Sequence, residues 1–157
     1  MSQQTTNTRI IRATAEKIYE ALTNPDALKQ WQVPGDMTAK IHRFDLREGG
    51  GYEMSLFYPE SESAVKGKTS TKEDRFTARY LKLIPDKKIL QAIDFQSDDP
   101  AFSGEMILEI NLEEVADGTK VSFHFTNIPA GINPADNEEG TRESLEKLAV
   151  YIDHSSE

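Results

Sequence analysis

Two neighbouring segments decide the fold: EMILEINLEEVADGTKVSFHF (residues 105–125) and NEEGTRESLEKLAVYID (residues 137–153). In the first segment, apolar and polar residues alternate on both sides of Asp117-Gly118, which predicts two antiparallel strands joined by a tight hairpin. In the second segment, the apolar side chains recur at the spacing of one buried helical face. The residues of that face are Thr141, Leu145, Leu148 and Ile152.

Further strands are predicted before this hairpin. Lys40 to Leu46 begins the sheet, and a change of apolar parity at His42-Arg43 indicates a β-bulge. Gly49 to Gly51 provides the turn to the returning strand, since glycine adopts positive φ without steric cost. Strands are then expected at Phe76 to Ile84 and at Lys88 to Phe95. The polar segment Pro59 to Glu73 is predicted to be a long mobile loop beside the cavity mouth.

Two short helices are predicted near the start of the chain. Thr14 is a good N-cap for the first, and Asn24-Pro25 gives the second a cap followed by proline at its first position. We expect residues 1–7 to be a disordered tail and residues 8–157 to form a single domain. The closing helix is predicted to begin near Asn137.

The order of these elements predicts an α+β fold in which a curved antiparallel sheet wraps around a long C-terminal helix. A sheet closing around one helix cannot easily fill the space between them, so an apolar cavity is expected there. Candidate cavity residues are the inward-facing and aromatic positions Trp31, Tyr52, Met54, Phe76, Tyr80, Phe95, Met106, Phe123, Phe125, Thr141, Leu145 and Leu148. Tyr52 and Tyr80 would add polar groups to an apolar pocket.

The charge is distributed unevenly along the chain. The formal net charge is −9, yet residues 94–157 contain 15 acidic and 3 basic side chains. Phosphate binding needs clustered Lys and Arg, so neither nucleic acid nor an anionic membrane is an expected partner. The acidic second half is interpreted either as a solvated face or as a docking face for a basic protein partner.

Several classes of site and location are disfavoured. The sequence has no cysteine, no apolar segment near its start and no apolar run of about 20 residues. A cytoplasmic protein without a cofactor is therefore expected. Its three histidines form no metal-ligand motif, its paired acids fall at turns, and its serines have no evident histidine partner, so neither a metal site nor catalytic residues are predicted.

Four stretches carry a resemblance to a known superfamily: Asn24-Pro25 through Trp31 with Pro34, Arg47 to Gly51, Tyr80 to Pro85 with Lys88 to Leu90, and Gly140 through Ile152. Together with the element order, they resemble the START-like, helix-grip superfamily, in the branch named for the activator of heat-shock protein 90 ATPase. One departure matters. Related chains usually carry Trp after the residue that corresponds to Gly140, whereas this chain has Thr141. Either Phe123 or Phe125 fills the space, or the cavity is larger.

Three functional hypotheses follow. The first is a protein that binds a small hydrophobic or aromatic molecule in the internal cavity. The second, implied by the resemblance, is a co-chaperone module that acts through its surface. The third is a cyclase- or hydratase-type enzyme of the kind found elsewhere in the superfamily, against which the missing acid/base pair argues.

Overall fold

The computed structural model describes residues 3–33, 37–57, 73–95, 99–102 and 104–155. Its helices and strands follow the predicted order of one strand, two short helices, six strands and one long helix. They are β1 (Gln3–Ile11), α1 (Ala15–Thr23), α2 (Pro25–Trp31), β2 (Thr38–Asp45), β3 (Gly51–Phe57), β4 (Glu73–Ile84), β5 (Lys88–Phe95), β6 (Met106–Val115), β7 (Gly118–Ile128) and α3 (Pro134–Ser155).

The strands of the described residues form one curved antiparallel sheet of seven strands in the order β1-β7-β6-β5-β4-β3-β2. Strands β2 to β7 form a meander, and β1 joins it at the far edge by pairing with β7. The buried face of α3 belongs to the same hydrophobic core as the inward face of the sheet. This arrangement confirms the predicted α+β helix-grip fold.

The turns of the sheet use the signals predicted from the sequence. The register between β2 and β3 shifts between Ile41 and Arg43, which confirms the bulge at His42. At the β6–β7 hairpin, Gly118 has φ of 146°, and a Cβ there would lie 2.2 Å from the Ile11 carbonyl oxygen. Only glycine therefore allows β1 to end this close to the hairpin.

The predicted disordered tail is wrong for residues 3–7, which form the first half of β1. Thr5 pairs with Phe125 in the ladder, and its hydroxyl donates to the Asn137 side chain on α3. The Asn7 side chain also donates to the Glu138 carbonyl, with an N–O distance of 3.2 Å. These polar residues are ordered by cross-strand and helix contacts, which an apolar pattern does not reveal.

The helix caps of α1 and α2 are as predicted. The Thr14 hydroxyl accepts from the Lys17 amide at 3.2 Å, and the Asn24 side chain accepts from the Asp26 amide at 2.8 Å. The start predicted for α3 is wrong: the helix begins at Pro134 rather than near Asn137. The Asn133 side chain accepts from the Ala135 amide at 2.8 Å, so Asn133-Pro134 repeats the start used by α2.

The predicted buried face of α3 is confirmed, since Thr141, Leu145, Leu148 and Ile152 are all buried. The predicted loop at Pro59 to Glu73 lies outside the described residues except for Glu73, which belongs to β4. Within the described part of the chain, none of the helices combines the length and the apolar character needed to cross a membrane.

Candidate functional site

A cavity of about 460 Å³ lies between the sheet, the end of α2 and the first half of α3. Its wall is mainly apolar and is contributed by α2, five neighbouring strands and the segment before α3. The apolar side chains in the wall are Trp31, Met37, Leu56, Phe76, Ile93, Phe95, Met106, Leu108, Phe123, Phe125 and Ile132.

The pleat and register of the sheet bring these side chains together. Phe76 of β4 is the ladder partner of Phe95 of β5, and their ring centroids lie 6.2 Å apart. Leu108 of β6 is likewise the partner of Phe125 of β7. Residues directly across an antiparallel ladder point to the same face, so each pair adds two side chains to one wall.

Trp31 forms the helical side of the wall. Its indole nitrogen donates to the Ala21 carbonyl at 2.9 Å, which satisfies the polar edge of a buried ring. The ring packs edge-to-face against Phe123, with centroids 6.0 Å apart and planes at 78°. The short α2 helix therefore holds its last residue in a fixed orientation against the sheet.

The space exists because α3 presents small side chains to this part of the sheet. Gly140, Thr141 and Ser144 all line the cavity, and a Cβ added at Gly140 would meet no atom within 4 Å. The Thr141 hydroxyl donates to the Asn137 carbonyl at 2.8 Å within the helix. Phe123 and Phe125 stand in the same wall as Thr141, and part of the space between these side chains stays open.

Seven of the candidate cavity residues predicted from the sequence line this cavity, and five do not. Those in the wall are Trp31, Phe76, Phe95, Met106, Phe123, Phe125 and Thr141. The other five are buried in the adjacent core: Tyr52, Met54, Tyr80, Leu145 and Leu148. The second half of α3 packs tightly there, whereas its first half faces open space.

Tyr52 and Tyr80 do not act as polar groups of the cavity wall. The Tyr52 hydroxyl lies 3.2 Å from the Gln32 amide nitrogen and 3.4 Å from that of Gln91. Burial, the main cause, raises the pKa of Tyr52, although these hydrogen bonds oppose the rise. Burial also raises the pKa of Tyr80, with smaller effects from nearby Tyr52 and Tyr19. The Tyr80 hydroxyl has no hydrogen-bond partner among the described residues.

Apart from Thr141, the polar side chains of the wall were not predicted from the sequence. Asp74 is 2% exposed and lies two residues before Phe76, on the same face of β4. It was missed because β4 begins at Glu73, inside the segment predicted to be a loop. The remaining polar wall residues lie at the end of α2 and around the start of α3. They are Gln32, Asn133, Asp136, Asn137 and Ser144.

On the opposite face of the sheet, a histidine, a serine and a glutamate, which are residue types used in catalysis, are joined by hydrogen bonds. His42 Nε2 lies 2.8 Å from Ser55 Oγ, so the expectation that no serine has a histidine partner is wrong. The Ser55 hydroxyl, however, donates to Glu73 and is 0% exposed. Its proton is thus directed to a carboxylate, and its oxygen is buried in this structure. This arrangement serves β2–β3–β4 packing rather than nucleophilic catalysis.

The acidic second half is partly neutralised by bases from neighbouring strands. Arg79 lies 3.0 Å from Glu105, and Lys88 lies 3.9 Å from Glu109. These exposed pairs stabilise the fold little. They place a base of β4 or β5 beside two of the acidic residues of this half.

The family and the fold are shown by comparison with known proteins. The family profile described as Activator of Hsp90 ATPase homolog 1-like protein matches residues 12–153. No curated protein sequence matches the chain. Among solved structures, a protein from Chromobacterium violaceum is 29% identical with a TM-score of 0.83, over 95% of this chain and 96% of that one.

Two further structures share the fold at lower identity. An AHSA1-like protein from Aeromonas hydrophila is 15% identical with a TM-score of 0.73, over 98% of this chain and 94% of that one. A protein from Rhodobacter sphaeroides is 17% identical with a TM-score of 0.77, over 98% and 99% of the two chains. Because the profile spans nearly all of the sequence, the chain belongs to the Activator of Hsp90 ATPase homolog 1-like protein family, within the START-like superfamily.

Proposed function

We propose that this protein binds a small hydrophobic or aromatic molecule in the cavity between its sheet and α3. The observation that carries the proposal is an apolar cavity of about 460 Å³ that the side chains of the chain leave unfilled. Ligand sites in proteins are commonly about 300–1,000 Å³, mostly apolar, with a few polar groups in the wall. The cavity has this size and this composition.

The sequence of α3 supports the same conclusion. Glycine inside a helix is less stable than alanine by about 1 kcal/mol, yet Gly140 stands in the helix where a Cβ would meet nothing. Thr141 and Ser144 contribute only short side chains to the same part of the cavity wall. Larger side chains would improve the packing, so the open space is maintained at a cost in stability, as expected for a binding site.

The experiment is a titration with N-phenylnaphthylamine, an uncharged probe whose emission rises in apolar surroundings. Trp31 is the only tryptophan in the sequence and stands in the wall. We expect saturable probe emission, with energy transfer from Trp31 to the bound probe. Native mass spectrometry of the freshly purified protein should also reveal a co-purifying small molecule if the natural ligand is retained.

Trp31→Phe is the matched control, because it keeps an aromatic ring but removes the energy donor. Probe emission excited directly should remain saturable, whereas transfer should disappear. Emission that rises linearly with probe concentration, in both wild type and Trp31→Phe, would contradict the proposal.

A co-chaperone role is the second candidate, and the family match favours it. Such a role needs a specific interface, typically above about 1,000 Å² in total. Its test is the ATP turnover of Hsp90 with and without this protein, together with binding at high salt. Faster turnover and salt-resistant binding would establish it in place of the ligand-binding function.

A further inference from the structure

We propose that the cavity prefers a ligand with a protonated amine on an aromatic or apolar body and discriminates against carboxylates. The inference rests on the proposed ligand-binding function and concerns its chemical selectivity. Two carboxylates, Asp74 and Asp136, stand in the wall. Among the described residues that line the cavity, none is Lys, Arg or His.

The two carboxylates lie at different depths. Asp74 is buried on β4, beside the rings of Phe76 and Phe95, whereas Asp136 is exposed in the first turn of α3. A ligand would thus meet negative charge at the mouth and again inside. Charges interact more strongly in an apolar surrounding than in water, so the buried carboxylate should dominate the selectivity.

The aromatic wall acts in the same direction. Trp31, Phe76, Phe95, Phe123 and Phe125 line the cavity. The faces of such rings attract cations and repel anions. Carboxylates and aromatic faces together are the combination that recognises organic ammonium groups, whereas an anionic ligand would gain from neither.

The start of α3 is the feature that could have favoured an anion, because helix N-termini carry partial positive charge. In this protein, the partial positive charge at the start of α3 is already compensated by side chains of the chain itself. The Asn133 side chain accepts from the Ala135 amide at 2.8 Å, and the Asp136 carboxylate lies in the first turn. The cavity mouth therefore offers an anion little attraction.

Three naphthalene derivatives of similar size test the inference: naphthylmethylamine, naphthylmethanol and naphthylacetic acid. Each is used to displace N-phenylnaphthylamine near neutral pH. We expect the amine to bind at least about tenfold more tightly than the acid, which corresponds to about 1.4 kcal/mol, with the alcohol between them. Equal binding of amine and acid, or tighter binding of the acid, would overturn the inference while leaving the proposed function intact. Failure of the probe and of all three compounds would instead remove the proposed function.

Two variants locate the effect. Asp74 also interacts with other groups of the chain, so Asp74→Asn and the exposed Asp136→Asn are both measured, after their melting temperatures have been compared with wild type. Asp74→Asn should remove most of the preference for amine over acid, and alcohol affinity should stay within about twofold. If Asp74→Asn does not fold, Asp136→Asn decides, with a smaller loss of preference expected.

Asp153→Asn is the control, because Asp153 is exposed near the other end of α3 and does not line the cavity. It changes the net charge equally, so it should leave the preference unchanged. A loss of preference in Asp153→Asn as large as in Asp136→Asn would show that total charge, and not the cavity wall, controls binding, and would refute the inference.

Discussion

The substitution Thr141→Trp should stabilise the free protein and close the cavity. Thr141 is 6% exposed, lies in the cavity wall and follows Gly140, whose own position has no Cβ to restrict a neighbouring ring. A tryptophan at 141 would enter space that already exists between α3 and the sheet.

The expected magnitude follows from the area that would be buried. A buried tryptophan removes about 150–250 Å² from water, of which about 100 Å² would be apolar surface added relative to threonine. At about 25 cal/mol per Å², this contributes about 2.5 kcal/mol. Overpacking in a filled core costs about 1–3 kcal/mol, but a cavity of about 460 Å³ allows the ring to settle with strain at the low end. We expect a net gain of about 1–2 kcal/mol in the free energy of unfolding.

The assay combines urea unfolding with the N-phenylnaphthylamine titration. Stability should rise while probe affinity falls at least about tenfold, about 1.4 kcal/mol. Val150→Trp is the matched control on the same helix, since Val150 is 56% exposed and lies outside this cavity; it should change neither quantity much. If Thr141→Trp lowers stability and leaves probe affinity unchanged, the site is already packed and the reasoning fails.

Four further outcomes are expected. Leu148→Asp should unfold the domain, since a buried unpaired charge costs several kcal/mol; a wild-type melting temperature would show that the helix register is wrong. Gly140→Ala should raise the free energy of unfolding by about 0.5–1 kcal/mol in urea, because its Cβ meets no atom within 4 Å. Tyr80→Phe should raise the melting temperature, because it removes a buried hydroxyl that has no hydrogen-bond partner among the described residues. Tyr52→Phe should lower the melting temperature, because it breaks the hydrogen bonds with Gln32 and Gln91. Both phenols have a raised pKa in the folded protein, so the folded state favours their neutral form. Their contribution to the free energy of unfolding is present below about pH 10, the ordinary pKa of tyrosine, and is lost as the pH rises above that value. The melting temperature should therefore fall in alkali, and it should fall less steeply in Tyr80→Phe.

Most of the fold was predictable because its signals are local. Thr14, Asn24-Pro25 and Asp117-Gly118 each fix a helix start or a turn through backbone preferences and capping hydrogen bonds. The first half of β1 was not predictable in this way, because Thr5 and Asn7 are ordered by partners on β7 and α3. The start of α3 could have been predicted, since Asn133-Pro134 is the same pair that begins α2.

The site was only half predictable, for a different reason. The alternation of apolar and polar residues along a strand identifies which side chains face inward, and it identified Phe76 and Phe125. It does not say which part of α3 faces the cavity and which part faces filled core, so Leu145 and Leu148 could not be separated from Thr141. Asp74 has the same position in the alternation as Phe76 and so faces inward as well. This could be deduced only if β4 was known to begin at Glu73.

The contacts of β1 have a consequence for how this chain folds. Thr5 and Asn137 are joined by a side-chain hydrogen bond across 132 positions of sequence, and β1 pairs with β7, the described strand farthest from it in sequence. Closing so long a loop costs entropy that local contacts cannot offset, which slows folding. During synthesis, β1 stays unpaired until β7 and the start of α3 have been made. Until the two strands pair, β7 has an open edge. The contact between Thr5 of β1 and Asn137, a residue of the cavity wall, is therefore among the last contacts to form.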